Sequence, residues 1–248
     1  MRPFIISLEP MEESSQQSFT LSTPVAIIIA GVIIAGAVYL AGTAQPNTQA
    51  VPNQPQVTPQ AADISKVKTA GEPFIGKANA PVTIAYWYDY QCPFCQRHEE
   101  ETMPQIVKDY VDTGKVKIVF KDFQFLSEDS QRLGKVSRAV WDTTPNKFYQ
   151  WHKAVYDNQG TENTGWATDA KILSITTGVL GVADAQKVTQ LAVKNADAYQ
   201  KEMDADKAEG GAMGVTGTPG TIIGKQLVSG AQPYAVFKQV IDLALQGK

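Results

Sequence analysis

The chain contains two cysteines, Cys92 and Cys95, separated by Pro93 and Phe94. A thiol pair at this spacing can exchange disulfides, ligate a metal or form a small structural bridge. Its surroundings favour exchange. Val82 to Tyr88 is rich in β-branched and aromatic side chains and apolar on both faces, which predicts a buried strand. Asp89-Tyr90-Gln91 is a polar break, and a helical pattern begins at Cys92. A C-x-x-C at such a strand-to-helix junction is a redox signature. Unpaired N–H groups and the macrodipole at a helix N-terminus stabilise an anion, so Cys92 is expected to be the more acidic, attacking sulfur. Pro93 falls where a missing N–H costs little and presets a helical φ. Cys95 lies one turn in and is expected to resolve the mixed disulfide.

Two other readings are weaker. Cys92, Cys95 and His98 have tolerable zinc-ligand spacing, but structural zinc usually takes four ligands. His152 is the other histidine, and there is no second cysteine pair. No metal is therefore expected. A purely structural disulfide would close a very small loop and constrain the unfolded chain little. The expected redox group is the Cys92–Cys95 disulfide itself, with no separate cofactor.

The elements that must position this pair belong to a chain of 248 residues, 43% hydrophobic, with a formal net charge of −3. That suits one domain with appendages and offers no basic field for nucleic acid. Residues 1–24 read as a short cytoplasmic tail. Residues 25–42 are continuously apolar or small, near the lower limit for a helix crossing a bilayer at about 1.5 Å per residue, and read as a transmembrane signal-anchor. Tyr39 at its end suits a membrane interface. A cleavable signal peptide competes, since Gly42-Thr43-Ala44 offers small residues at a cleavage position, but the long, poorly basic start disfavours it. No Lys or Arg occurs between Arg2 and Lys66, so the charge pattern leans towards a cytoplasmic N-terminus and an extracytoplasmic domain. Residues 43–70, with Pro46, Pro52, Pro55 and Pro59, read as a flexible linker.

Residues 71–248 carry the folded domain. After the pair, a helix is expected to about Val111, kinked near Thr102-Met103 by Pro104, with Glu99-Glu100-Glu101 as a solvated face. Lys115 to Phe123 predicts a second strand, parallel to the first. From about 128 to 209 the pattern is helical: Ser130–Trp141, Lys147–Asp157, Thr168–Thr177 and Ala183–Ala208. His152, among Phe148, Trp151 and Tyr156, reads as a packed histidine. A hairpin over Thr221 to Gly230 and a terminal helix, Tyr234 to Leu245, complete an α/β order with a mixed sheet.

Several stretches together resemble the DsbA-like thiol–disulfide oxidoreductases of the thioredoxin superfamily, in the branch often membrane-tethered in bacteria. They are Ala78-Asn79-Ala80-Pro81-Val82-Thr83-Ile84, Asp89-Tyr90-Gln91-Cys92-Pro93-Phe94-Cys95, Asp112-Thr113-Gly114-Lys115-Val116, Gly214-Val215-Thr216-Gly217-Thr218-Pro219 and Leu227-Val228-Ser229-Gly230-Ala231-Gln232-Pro233. The resemblance implies a thioredoxin fold with a helical insertion and a cis bond between Thr218 and Pro219. It also implies that Pro219 lies beside the redox pair, and that Thr218 offers its backbone to an extended substrate peptide. Two positions depart from the family pattern. The acidic residue usual six positions before the first cysteine is Tyr86 here, leaving Asp89, Lys121 or water to serve Cys95. Phe94 can neither donate a hydrogen bond nor carry charge, which implies a milder oxidant than a Pro-His pair.

The expected function is introduction of disulfide bonds into extracytoplasmic proteins by exchange at Cys92 and Cys95. Pro93, Phe94 and Pro219 would support the site, and Thr218 and Pro219 would meet the substrate. The implied partners are reduced or misfolded client proteins, a membrane redox partner that recycles the disulfide, and a lipid bilayer through residues 25–42. A reductase or isomerase is the alternative within the same chemistry. A tethered chaperone-like binding module with no redox turnover is the alternative from another class.

Overall fold

The structure, a computed structural model, describes residues 60–247. The expected tail, the signal-anchor with its cleavage alternative, and most of the expected linker lie outside the described residues. Among the described residues, no helix is long and apolar enough to cross a membrane.

The predicted first strand is the centre of the architecture. β3 (Val82–Tyr88) lies between β4 (Val116–Asp122), which runs parallel to it, and β5 (Gly220–Ile223), which runs antiparallel. β6 (Gln226–Ser229) pairs antiparallel with β5. Two short strands close the edges, β1 (Gln60–Ala61) on β6 and β2 (Phe74–Ile75) on β4. The six-stranded order is β1-β6-β5-β3-β4-β2.

Neither β1 nor β2 was foreseen, because two residues carry no periodicity. β1 also brings part of the expected linker into the domain. Ala62 N–H donates to Lys225 O at 3.1 Å, and Val67 is buried in the smaller of two core clusters. The ladder to β6 and the apolar contact hold this stretch, despite a polar composition that reads as disordered.

β3 is apolar on both faces because both are covered. Ile84, Tyr86 and Tyr88 face the larger core, beneath the helices. Ala85 and Trp87 face the smaller one, with Phe123, Val215, Ile222 and Leu227.

The helical run after the cysteines covers residues 93–111 in four segments. They are α1 (Pro93–Arg97), a π turn (His98–Thr102), α2 (Met103–Ile106) and a second π turn (Val107–Val111). The interruption predicted at Pro104 takes the form of the first π turn, which widens the helix where proline cannot supply its N–H. The insertion comprises α3 (Glu128–Thr143), α4 (Phe148–Asp157), α5 (Asp169–Leu180), α6 (Val182–Lys194) and α7 (Ala196–Ala212). The single long helix expected over Ala183–Ala208 is thus two, broken at Asn195, whose φ −102° and ψ 16° leave the helical region. α8 (Tyr234–Leu245) closes the chain as predicted.

A buried ionic cluster fastens α3 and α7 to the sheet. Lys121 Nζ of β4 contacts Asp206 Oδ1 at 2.5 Å and Glu209 Oε2 at 3.1 Å, both on α7. Arg138 of α3 donates to Asp122 Oδ2 at 2.7 Å and Glu72 Oε2 at 2.9 Å, and also to Asp206. Trp87 Nε1 donates to Asp206 O at 2.9 Å. α7 comes so close there that a Cβ on Gly210 would stand 2.7 Å from Trp87 Nε1, so only glycine fits.

Candidate active site

Cys92 is the N-cap of α1, with Pro93 in its first turn, as the helix-start argument required. Both cysteines are free thiols. Cys92 is 5% exposed and Cys95 fully buried, so the first sulfur lies nearer the surface than the second. Two adjoining groups accept or donate at Cys92. In its thiol form it donates to Thr218 O, at 3.3 Å. As a thiolate it accepts from the Cys95 thiol. That bond, aided by Thr218 and by the N–H groups of Cys95 and Phe94, outweighs burial and lowers the Cys92 pKa from 9.0 to about 6. Burial, followed by the hydrogen bond and charge of Cys92, pushes the Cys95 thiol well above its ordinary value.

Thr218, remote in sequence and followed by Pro219, therefore reaches the pair. Their peptide bond is cis. Pro219 is buried, and its carbonyl accepts from Gly230 N at 2.8 Å, which ties this loop to the end of β6. Phe94 projects outward, 54% exposed, with the Arg97 guanidinium 5.3 Å from its ring centroid. Phe125, on the loop after β4, is exposed as well.

The loop that carries Cys92 is held by groups that sequence reasoning did not single out for this role. The Asp89 carboxylate accepts from Gln91 N at 2.8 Å, Phe125 N at 2.8 Å, Leu126 N at 3.1 Å and Ser130 Oγ at 2.5 Å. Its acceptor positions are filled, which removes it as a proton acceptor for Cys95. Lys121 is removed too, since its ammonium is occupied in the ionic cluster on the other side of β4. From the insertion, Tyr156 OH donates to Asp89 O at 3.1 Å, and Gln159 Nε2 donates to Tyr90 O at 2.7 Å. The α4 end thus caps the carbonyls of the turn before Cys92. A long-range cap of this kind leaves no local signal in the sequence.

The expectation of a solvated glutamate face holds for Glu100 and Glu101 and fails for Glu99, which is 1% exposed. Glu99 lies four residues after Cys95, on the same inward helix face. That spacing was the available signal. Its Oε1 meets His152 Nε2 at 3.2 Å, and His152 Nδ1 meets Tyr90 OH at 3.0 Å. His152 is packed, as expected, and also joins a polar chain. His98 is buried against Tyr86 and Phe237, and burial lowers its pKa to about 4. It is neutral at ordinary pH. Among the described residues no group of three or more His, Cys, Asp or Glu is arranged to hold a metal ion.

An α/β sheet of this order, with a C-x-x-C pair at the start of the helix after its central strand and a cis-proline loop beside it, defines a thiol–disulfide oxidoreductase of the DsbA-like kind. The comparisons agree. A family model described as thioredoxin matches residues 68–243, and the chain belongs to that family. Disulfide bond formation protein D of Bacillus subtilis is 27% identical over 178 residues, 72% of this chain and 79% of the relative. The probable disulfide bond formation protein D of Bacillus cereus is 26% identical, covering 69% of this chain and 78% of the relative. Among solved structures, BdbD of Bacillus subtilis superposes with a TM-score of 0.66 at 23% identity, over 76% of this chain and 98% of that one. DsbA of Chlamydia trachomatis gives 0.65 at 18% identity, over 73% and 95%. The protein is a protein disulfide oxidoreductase.

Proposed function

We propose that this oxidoreductase introduces disulfide bonds into extracytoplasmic proteins, with the Cys92–Cys95 disulfide as its only redox group. The observation that carries this reading is the asymmetry of the pair: an acidic sulfur at a helix start, the less buried of the two, and a fully buried, weakly acidic one behind it. A client thiolate attacks Cys92 and expels Cys95. A second client thiolate then releases Cys92, and the client leaves as a disulfide. Cys92 is a good leaving group in that last step because its thiolate is stabilised.

Thr218 and Pro219 form the platform on which an extended client chain lies, and Phe94 and Phe125 are exposed apolar rings on the segments that follow Cys92 and β4. Main-chain recognition and a few exposed aromatic rings suit clients of varied sequence. Residues 25–42 tether the domain to the membrane from outside the cytoplasm, where a membrane redox partner re-oxidises the pair. The names of the Bacillus relatives support disulfide formation as the direction.

The deciding experiment is the equilibrium reduction potential of the full chain in glutathione buffers. A thiol with pKa about 6 is stabilised at pH 7, relative to one at 9.0, by about 1.4 kcal/mol, or about 30 mV for a two-electron couple. The expected potential lies between the roughly −270 mV of thioredoxin and the roughly −120 mV of the strongest oxidant of the class. A value at or below thioredoxin's would reverse the direction and make the protein a reductase. Labelling of Cys92 by a membrane-impermeant maleimide in intact cells after brief reduction tests the location, and protection there with labelling only after lysis would refute it.

A further inference from the structure

The turn that ends at Cys92 carries three carbonyl oxygens whose negative ends bear on the sulfur, those of Asp89, Tyr90 and Cys92 itself. Asp89 O accepts from Cys92 N at 3.1 Å, and Cys92 O accepts from Cys95 N and Gln96 N, each at 3.1 Å. Tyr90 O takes no backbone hydrogen bond of this kind. In the last step of client oxidation, a second client thiolate attacks the client sulfur of the mixed disulfide. The client disulfide forms, the bond to Cys92 breaks, and its electron pair leaves on Cys92. Uncompensated carbonyl dipoles around that sulfur oppose the step, and donors placed on them favour it.

We propose that Gln159 is a positioning residue of the redox pair: its side-chain amide, two residues past the end of α4, clamps the carbonyls of the Cys92 turn and so stabilises Cys92 as the leaving thiolate. Gln159 Nε2 donates to Tyr90 O at 2.7 Å and to Cys92 O at 3.3 Å. Both partners can only accept, so the NH2 end of the amide faces the turn. Its two N–H groups bring partial positive charge to the residue that bears the sulfur. Tyr156 OH, three residues earlier, donates to Asp89 O at 3.1 Å, so one short stretch of the insertion serves all three carbonyls.

The clamp is itself held from both sides. Gln96 Nε2, one turn along the run from Cys92, donates to Tyr156 O at 3.1 Å, and Gln159 N donates to the same oxygen at 3.0 Å. Beyond Gln159, Asn163 N donates to Gln91 Oε1 at 3.0 Å, and Gln91 Nε2 donates to Ser127 Oγ at 2.9 Å. A Cβ on Gly160 would stand 2.6 Å from Trp166 Cβ, so glycine is what lets the chain turn back there.

The titratable and charged groups around Cys92 are Cys95 and Arg97 on its own run, Tyr86 from β3, Tyr156 from α4 and Asp89 from the turn. The loop 214–220, which brings Thr218, contains none. Gln159 has neither charge nor a proton to exchange. An uncharged replacement leaves every one of those groups in place, so a change in the acidity of Cys92 then reports the amide.

This inference rests on the redox reading of the pair, and the test separates the two. Reduced full-length protein is alkylated at Cys92 with iodoacetamide across the pH range, and its equilibrium with glutathione is measured at pH 7. Wild type should titrate with a midpoint near 6. Gln159→Met keeps the length of the side chain and loses both N–H groups, and its midpoint should rise by about half a pH unit. Gln159→Glu turns an ionised carboxylate towards the same carbonyls and should raise the midpoint by about one pH unit or more. Near pH 9 the sulfur is a thiolate in every variant, and the rates there should agree within about twofold. At pH 7 the glutathione equilibrium should move towards the protein disulfide by about two- to threefold in Gln159→Met and about fivefold in Gln159→Glu, in step with the midpoints.

An unmoved midpoint in Gln159→Met overturns the clamp and leaves the redox reading standing. That holds even if Gln159→Glu shifts, because its added charge then accounts for the change. A rate lowered near pH 9 with the midpoint in place overturns it too, since Gln159 would then only prop the loop. Wild type that forms no internal disulfide in any glutathione buffer removes the redox reading, and the clamp's part in the reaction with it, whatever the midpoints. If Gln159→Met does not fold, Gln159→Ala decides by the same criteria.

Discussion

At the scale of single residues, two buried atoms with opposite acidities define the molecule. Cys92 in the folded, reduced protein has a pKa near 6 against 9.0 for an ordinary thiol. A group whose folded pKa is depressed stabilises the fold fully above its unfolded value and loses that contribution as pH falls through the folded value. The reduced protein should therefore gain stability from about pH 6 to about pH 9, with about 1.4 kcal/mol present at pH 7. Urea denaturation under reducing conditions reads this as the difference between wild type and Cys92→Ser at each pH, which cancels other groups such as Asp206, raised to about 7 by burial. The alkylation rate of Cys92 by iodoacetamide should titrate with the same midpoint. Cys95→Ser should trap a mixed disulfide when its Cys92 thiolate attacks a disulfide-bonded peptide and releases one peptide thiol, and Cys92→Ser should trap none. Asp89 matters for another reason. Its carboxylate receives two N–H groups from the loop after β4, one from Gln91 and the Ser130 hydroxyl, so Asp89→Ala strands several buried donors. A loss of about 3 kcal/mol in denaturant unfolding is expected.

At the scale of elements, the ionic cluster decides whether the insertion stays docked. Arg138 bridges Asp122 of β4, Asp206 and Glu202 of α7, and Glu72. Its removal leaves several carboxylates with only Lys121 and, at Glu72, the exposed Lys68 to balance them. Arg138→Met should cost about 3–5 kcal/mol, the range for breaking one side of a buried ion pair, as measured by the urea midpoint. The docked insertion is also what delivers Tyr156 and Gln159 to the Cys92 loop. The same variant should therefore disturb Cys92 alkylation, although Arg138 makes no contact with the pair. The helix after the cysteines shows a smaller effect of this kind. Pro104 opens a π turn at His98–Thr102, and that turn carries the inward-facing His98 and Glu99.

At the scale of the whole molecule, a thioredoxin-family sheet brings the helix start that carries Cys92 against the Thr218 carbonyl of a loop remote in sequence. The fold thereby gives the less buried sulfur the lower pKa and the fully buried sulfur the higher one. The potential expected between the extremes of the class follows from Cys92 being only moderately acidic, in keeping with a Phe94 that supplies neither charge nor a hydrogen bond. Replacing Phe94 by His adds a donor near the sulfur, and should lower the Cys92 pKa and raise the potential. Alkylation and glutathione equilibria on that single variant would show both shifts, or neither.

The sequence by itself determined the parts that depend on local pattern. β3, β4, the hairpin and α8 were legible because alternation, β-branched residues and turn glycines act within a few residues. Cys92 and Cys95 were legible because a helix start acts on the sulfur attached to it. Thr218 and Pro219 were found by family resemblance rather than by any local rule. The tertiary structure alone decided what lies opposite what. It filled the Asp89 carboxylate, sent Lys121 to α7, buried Glu99 beside His152, and drew residues 60–67 onto the sheet edge. Glu99 shows why. It stands in a run of three glutamates whose composition reads as solvated, and only the packing of α4 against the helix face shared with Cys95 encloses one of the three. Burial depends on the surfaces that long-range contacts bring together, and a window of neighbouring residues does not contain them.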